Sequence, residues 1–262
     1  MREFGLIGKT LSHSFSKNYF DEKFRREQIE DATYSLYEIA DIKDIKDFFR
    51  HHPNLVGLNV TIPYKQTIIP YLDELSEEAT AVGAVNTVAF QHNDGQIITK
   101  GFNTDIIGFR QSLENVKLPD HALILGTGGA AAAVTYVLKH QNCQCTAVSR
   151  DPERGFPYPK LTPELVALHK IIVNCTPLGT YPNINKKPDI PYDGISGEHF
   201  LYDLVYNPSE TAFLKEGIRR GAKVQNGLQM LHRQAEASWN IWQNNHLFWK
   251  KKSFITTRTI AQ

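Results

Sequence analysis

Cysteine is scarce in this chain, with three among 262 residues, and an odd count of so few excludes a disulfide framework as what holds the fold together. A reducing compartment is the simpler setting. Cys143 and Cys145 fall on one face of an expected strand, and no histidine or further cysteine stands at a zinc-like spacing, so they read as small core residues and no metal site is expected. A dominant sign of charge is also lacking: 29 Lys and Arg meet 28 Asp and Glu, for a formal net charge of +1. That removes any bulk attraction to nucleic acid or an anionic membrane, and any anion site must be local. No apolar run is long enough for a bilayer, because the most apolar stretch, Ala122–Leu138, is broken by three glycines and two threonines. Met1–Gly5 lacks the basic-then-apolar layout of a secretory signal, which leaves a cytoplasmic location as the expectation. Repeats and low-complexity tracts are missing too.

What is present is 41% hydrophobic content, enough for two modest domains or one large one. Strand and helix patterns alternate almost throughout, which argues for an α/β protein with largely parallel sheets. Strands are expected near Arg2–Gly8, Thr33–Glu38, Val56–Thr61, Thr87–His92 and Gln96–Lys100, with helices over Lys17–Gln28, over Ile42–Arg50 and from about Gln66. Asp41 is a candidate N-cap, and Asn93-Asp94-Gly95 is a hairpin signal. From Ala122 the order is strand, glycine turn and helix to His140, strand Gln144–Val148, a helix opened by Thr162-Pro163, and strand Ile171–Asn174. Strands Leu201–Leu204 and Lys223–Gln225 then flank a helix near Thr211–Arg220, and a long helix runs from Gly227 to Asn245. Phe156–Pro163 and Gly179–Gly197 read as loops, the second long enough to suggest a functional role.

The run Ala122–Ala133, ALILGTGGAAAA, has the grammar of a dinucleotide cradle. Gly126 makes the tight turn, Gly128 admits a pyrophosphate, and Ala131 lets the helix pack close to its strand. The helix N-terminus then faces the phosphates. About 20 residues further on, an acid would mark NAD and an arginine NADP. Here Val148-Ser149-Arg150-Asp151 ends the second strand, and Arg150 can clamp a 2′-phosphate with its planar fork. Asp151 would repel that phosphate unless it points away or pairs with Arg150. NADP is therefore the expected cofactor. Polar residues gather at two other corners: Asn59 and Thr61 share a strand face with Lys65 at the junction in NVTIPYK, and Gly101–Asp105 precedes a helix in the same way. Strand-to-helix corners are where α/β proteins collect ligands. The plain alternative is that Thr104 and Asp105 only cap their helix and Lys65 is a solvated lysine.

Taken together, GKTLSHSFSK at Gly8–Lys17, NVTIPYK at Asn59–Lys65, VGAVNT at Val82–Thr87 and GFNTD at Gly101–Asp105 resemble the shikimate dehydrogenase family. So do GTGGAA at Gly126–Ala131, NCTPLG at Asn174–Gly179, YDLVYNPSET at Tyr202–Thr211 and NGLQMLHRQA at Asn226–Ala235. The motifs run in order from about residue 4 to 240. The resemblance implies two α/β domains with a cleft between them: a substrate-binding domain over 1–103, onto which a C-terminal helix at about 226–245 packs back, and a Rossmann-type NADP-binding domain over 104–225. Residues 246–262 form an unassigned tail, read as a solvated terminus.

The implied activity is reversible NADP-dependent oxidation of shikimate to 3-dehydroshikimate, with Lys65 and Asp105 as catalytic pair. Ser14 and Ser16 would bind the substrate carboxylate, and Thr61, Asn86, Asp105, Tyr206 and Gln234 would line the pocket. Asn59 is counted with the substrate residues, supporting them from the strand below. NADP(H) would meet Gly126, Thr127, Gly128, Gly129 and Ala130, Ser149 and Arg150, Asn174, Thr176 and Pro177, Val205 and Gly227. A lysine can take the hydroxyl proton if its environment lowers its pKa, while a neighbouring carboxylate opposes that lowering. The residues alone leave open whether Lys65 accepts the proton or mainly holds developing charge. Thr10 and Lys17 stand where the family usually has prolines, Ser149 and Asp151 flank the arginine in place of Asn and Thr or Ser, and Gln229 replaces a frequent glycine. A quinate/shikimate dehydrogenase accepting NAD, or a non-catalytic NADP-sensing protein of the same fold, are the alternatives. Either a monomer or a homodimer is compatible with the sequence.

Overall fold

The computed structural model describes residues 1–11, 14–93 and 96–247. Two six-stranded sheets carry the chain. The first is built from β1 (Arg2–Gly8), β2 (Ala32–Glu38), β3 (Leu55–Val60), β4 (Glu74–Leu75), β5 (Thr87–Asn93) and β6 (Gln96–Phe102) in the order β2-β1-β3-β5-β6-β4. Helices α1 (Phe15–Arg26), α2 (Ile45–His51), α3 (Tyr64–Thr67) and α4 (Glu77–Val82) connect its strands. β1 runs parallel to β2 and β3, as expected. β5, however, is antiparallel to both β3 and β6, so this sheet is largely parallel with β5 reversed against strands that otherwise share one direction. The hairpin signal is the reason: Asn93 pairs with Gln96 across the turn, and a tight hairpin can only join antiparallel strands. Asp94 and Gly95 themselves lie outside the described residues.

Between the sheets runs α5 (Asp105–Ser112), and the second sheet follows with β7 (His121–Leu125), α6 (Gly129–Lys139), β8 (Gln144–Ser149), β9 (Phe156–Pro157), α7 (Pro163–Leu168), β10 (Ile171–Asn174), β11 (Phe200–Asp203), α8 (Ala212–Arg219) and β12 (Lys223–Asn226). Its order, β12-β11-β10-β7-β8-β9, is parallel throughout and is that of the doubly wound dinucleotide fold. β9 was not expected: Phe156 and Pro157, read as loop, pair with Val148 and Ser149 as a two-residue edge strand. A proline is tolerated there because an edge strand leaves one side unpaired. Thr162 caps α7 by accepting from the Leu165 N–H at 3.2 Å, with Pro163 at the first helical position. The strand order reverses between β7 and β10, and the glycine loop leaves the sheet at that switch point. There the Cys175 N–H donates to Leu125 O at 2.9 Å and the Gly126 N–H to Val148 O at 2.9 Å.

The last helix, α9 (Leu228–Gln243), joins both halves. Met230 packs with Ile106 and Phe109 of α5 in the core beneath the second sheet. Ala235, Trp239 and Trp242 pack with Phe4, Phe20 and Tyr34 against the first. Trp242 also donates from Nε1 to Val88 O at 3.1 Å, so its one polar atom is satisfied inside the core. The three cysteines are unpaired, and burial pushes the Cys145 thiol up to about 12, which suits packing rather than nucleophilic or ligand chemistry. The tail lies outside the described residues beyond 247.

Candidate active site

α3 is a single turn set directly beyond β3, and Tyr64 fixes it by donating its hydroxyl to Ile39 O at 2.5 Å. That turn carries Lys65, whose Nζ donates to Asp105 Oδ2 at 2.7 Å. The lysine side chain is 17% exposed and the carboxylate 7%, so neither is a solvated surface charge. Asp105 opens α5 yet does not cap it. Thr104, the residue at the cap position, makes no side-chain cap bond either, and Asn103 Oδ1 accepts from the Ile106 N–H instead. The plain alternative for this corner is thereby excluded: both side chains are committed to one another and to the polar cluster around Asn86.

Donor and acceptor identities orient that cluster. The Thr104 N–H, which can only donate, meets Asn86 Oδ1 at 2.7 Å, so the amide nitrogen of Asn86 must face the other way. It donates to Asp105 Oδ1 at 3.0 Å. Both oxygens of Asp105 are therefore acceptors in this arrangement, one toward an amide and one toward an ammonium. Behind Asn86 sit three buried hydroxyls in a triangle: Thr87 Oγ1 and Ser238 Oγ are 2.8 Å apart, Thr104 and Ser238 3.1 Å, and Thr87 and Thr104 3.2 Å. Asn59 donates to Ser238 at 2.9 Å and accepts from the Tyr34 hydroxyl at 2.8 Å. Its amide is occupied within this network, one layer beneath the lysine. Burial raises the Tyr34 hydroxyl pKa, and Ser16 provides a hydrogen bond on its other side. Gln234 of α9 reaches the same group, its Oε1 accepting from Asn86 and from Thr104 at 3.4 Å each.

At the far end, Ser14 caps α1 by accepting from the Ser16 N–H at 3.3 Å. Both serines thus sit at a helix N-terminus, whose dipole favours an anion. Ser12 and His13 of the same motif lie outside the described residues. Tyr206 arrives from the other sheet, half-buried with its ring 5.8 Å from Phe15 and its oxygen hydrogen-bonded to the Phe15 backbone; burial raises its pKa. Thr61 follows β3 directly, with its N–H donating to Ile7 O at 2.9 Å.

The glycine loop faces this group from the second sheet. Gly126 takes a φ of +113°, a conformation that side-chain-bearing residues avoid. A side chain at Gly128 would meet nothing within 4 Å, so the backbone at the start of α6 is open to a phosphate, and the cradle fits a dinucleotide. At the end of β8, Asp151 does not pair with Arg150: its Oδ1 accepts from the Glu153 N–H at 3.1 Å, which turns the carboxylate into its own turn. Arg150 is left exposed. Arg154, which no motif marks, donates to Thr127 O at 2.8 Å and ties this turn to the glycine loop. Its place one turn beyond Arg150 was the only signal. Ser149 is buried and accepts from the Asp151 N–H at 3.1 Å. Asn174 is also internal: it donates to Asp203 Oδ1 at 2.9 Å and accepts from the Thr176 N–H at 3.0 Å, shaping the loop that carries Thr176 and Pro177. The Gly227 N–H donates to Val205 O at 3.3 Å, which holds those two backbone positions together.

Residues 6–88 match the model for the shikimate dehydrogenase substrate binding domain. The shikimate dehydrogenase (NADP+) of Clostridium beijerinckii is 38% identical, over 94% of this chain and 94% of its own. This chain belongs to the shikimate dehydrogenase family. Among solved members, the Thermus thermophilus shikimate 5-dehydrogenase, in complex with NADP(H) and shikimate, is 29% identical with a TM-score of 0.80 and covers 92% of this chain and 93% of that one. Quinate dehydrogenase from Corynebacterium glutamicum, in complex with NAD, is 28% identical with the same TM-score of 0.80, over 92% and 93%. Among the described residues of this family member, no helix is long and apolar enough to cross a membrane, and no cluster of three or more His, Cys, Asp or Glu could hold a metal ion.

Proposed function

We propose that this protein catalyses the reversible NADP-dependent interconversion of shikimate and 3-dehydroshikimate, with reduction as the biosynthetic direction. The observation that carries the reading is the Lys65–Asp105 pair, 2.7 Å apart, lying where the start of α6 meets the first sheet. NADPH supplies the hydride to the C3 carbonyl when bound. Lys65 gives a proton from Nζ to the carbonyl oxygen as the hydride arrives, and in oxidation it takes that proton back. Asp105 orients the ammonium through Oδ2 and keeps lone pairs on both oxygens for a substrate hydroxyl. Asn86 and Gln234 line the same pocket, together with Thr61. Ser14 and Ser16 receive the substrate carboxylate at the N-terminus of α1, and Tyr206 closes over it from the other sheet. Arg150 and Arg154 hold the 2′-phosphate, and the turned-away carboxylate of Asp151 supports NADP over NAD.

In this reading residues 1–103 with α9 form the substrate-binding unit and 104–225 the cofactor unit, with the cleft between them opening for exchange. The protein acts in the cytoplasm on a small-molecule substrate. The test is a set of initial rates with shikimate and quinate, each with NADP and NAD, for wild type and Lys65→Ala. Wild type should favour shikimate with NADP. Lys65→Ala should lose turnover by about three orders of magnitude while binding NADPH nearly as wild type does. Unchanged turnover in that variant would refute the role of Lys65, and a preference for quinate or NAD would move the protein to the neighbouring specificity.

A further inference from the structure

The dinucleotide fingerprint needs small residues at 126, 128 and 131 and makes no demand at 129, yet Gly129 is a glycine too. Its backbone gives no reason for this, since its φ lies outside the left-handed region. As the first residue of α6 it even weakens the helix relative to alanine. The reason lies across the cleft. A methyl on Gly129 would stand 3.0 Å from Lys65 Cβ, 3.3 Å from Ala84 Cβ and 3.4 Å from Lys65 Cδ. The first of these is tighter than nearly all real carbon contacts. Both sides are anchored. Lys65 is held through its carbonyl, which accepts from the Val85 N–H at 2.7 Å, and Ala84 is fully buried. On the other side Ala131, Ala133 and Val134 lock α6 into the core.

We infer that Gly129 is a positioning residue for Lys65: by presenting only backbone, it lets the cofactor helix close onto the lysine stem and holds Nζ on Asp105. This rests on the proton-transfer role of Lys65 proposed above. Any side chain at 129 must push the glycine loop away from the first sheet, or turn the lysine off its rotamer, by a few tenths of an ångström. Displacements of that size between reacting groups lower turnover steeply while leaving ground-state binding almost intact. The backbone N–H groups of the cradle are kept in every such variant, so cofactor affinity is not the quantity at stake.

The experiment compares wild type with Gly129→Ala and Gly129→Val. We expect kcat to fall about tenfold in the alanine variant and more than about a hundredfold in the valine variant. The NADPH dissociation constant should stay within about twofold of wild type, because the cradle is unchanged. Gly129→Ala should keep a single cooperative unfolding transition and lose only a few degrees in Tm, because the better helix propensity of alanine offsets part of the strain of the close contact. As a readout independent of turnover, acetylation of Lys65 by acetic anhydride, followed by peptide mass spectrometry, should speed up in the order Gly, Ala, Val. Unchanged kcat and unchanged Lys65 reactivity in both variants would overturn the inference. So would a loss of NADPH affinity matching the loss of kcat, which would assign Gly129 to the phosphate cradle. If wild type itself fails to turn over shikimate with NADP, the functional reading fails, and the reactivity and affinity measurements still decide whether Gly129 positions Lys65.

Discussion

Asp203 is fully buried, and no cation faces it among the described residues. It accepts instead from Asn174 Nδ2 at 2.9 Å, from the Val205 N–H at 3.0 Å and from the Thr211 hydroxyl at 2.6 Å, so one carboxyl group braces three segments around the cofactor loops. Burial raises its pKa from 3.8 to about 6. A raised carboxyl binds its proton more tightly in the folded state, so its contribution to stability is intact below about pH 3.8 and is lost as pH rises through about 6. Asp203→Asn keeps an oxygen for Asn174 and Val205, and the Thr211 hydroxyl can turn to accept from the new amide. The variant should therefore gain on wild type by on the order of 3 kcal/mol between pH 4 and pH 7.5. Urea unfolding across that range measures the difference, and a flat difference would refute the assignment. None of this was legible in the sequence. Asp203 sits inside the recognised motif YDLVYNPSET, but a motif records that a residue is kept and not whether it meets ligand or scaffold. Ser149 and Asn174 show the same limit: both lie beside the cofactor cradle, and both side chains are committed to holding loops.

The elements were more legible than the residues' partners. Strand and helix positions follow from period and caps, and the glycine turn, the Thr162-Pro163 start and the antiparallel hairpin were all marked by local chemistry. The two short edge strands, β4 and β9, were not, because two residues carry no period and their pairing depends on a distant neighbour. The turn after β8 was half legible: the sequence placed Arg150 and raised the problem of Asp151, while only the fold turns Asp151 onto the Glu153 N–H and brings Arg154 against Thr127. A prediction belongs to this turn. Loss of a charge-assisted arginine–phosphate contact removes about 1.5–3 kcal/mol of binding. Arg150→Ala should then raise KM for NADP by about ten- to a hundredfold and leave KM for NAD nearly unchanged. Steady-state kinetics with both cofactors check it, and an equal rise for NAD would show that Arg150 acts on the fold of the turn rather than on the phosphate.

Across the whole molecule, pH acts from two ends of the second sheet. Asp203 lies at the strand ends that face the cleft, whereas His169 and His199 lie at the opposite ends, before β10 and β11, and are both buried. His169 donates from Nδ1 to Leu165 O at 2.7 Å, and its Nε2 lies 2.9 Å from the Thr146 hydroxyl, which can donate to a neutral ring. The Ser196 N–H, an obligatory donor, faces His199 Nδ1 at 3.0 Å and demands a neutral ring. Burial lowers both pKa values. Each contribution is present above the unfolded value of about 6.5 and is lost as pH falls below it, opposite in sign to that of Asp203. Below about pH 6.5 the two trends oppose each other, so Asp203 offsets part of the acid-side fall that the two histidines produce. His169→Gln combined with His199→Gln should lose the acid-side fall between pH 6.5 and pH 5, as thermal unfolding at several pH values would show; an unaltered fall would remove these two rings from the account. The docking of α9 also has a consequence in time. Lys65, Asp105 and the glycine loop all leave the ribosome before Gln234 and Ser238 do, so a growing chain can form both sheets before the partners that Thr87 and Thr104 find on α9 are in place. The site becomes dry only when the last helix seats, which makes the first turnover of a new molecule a report that its C-terminal helix has arrived.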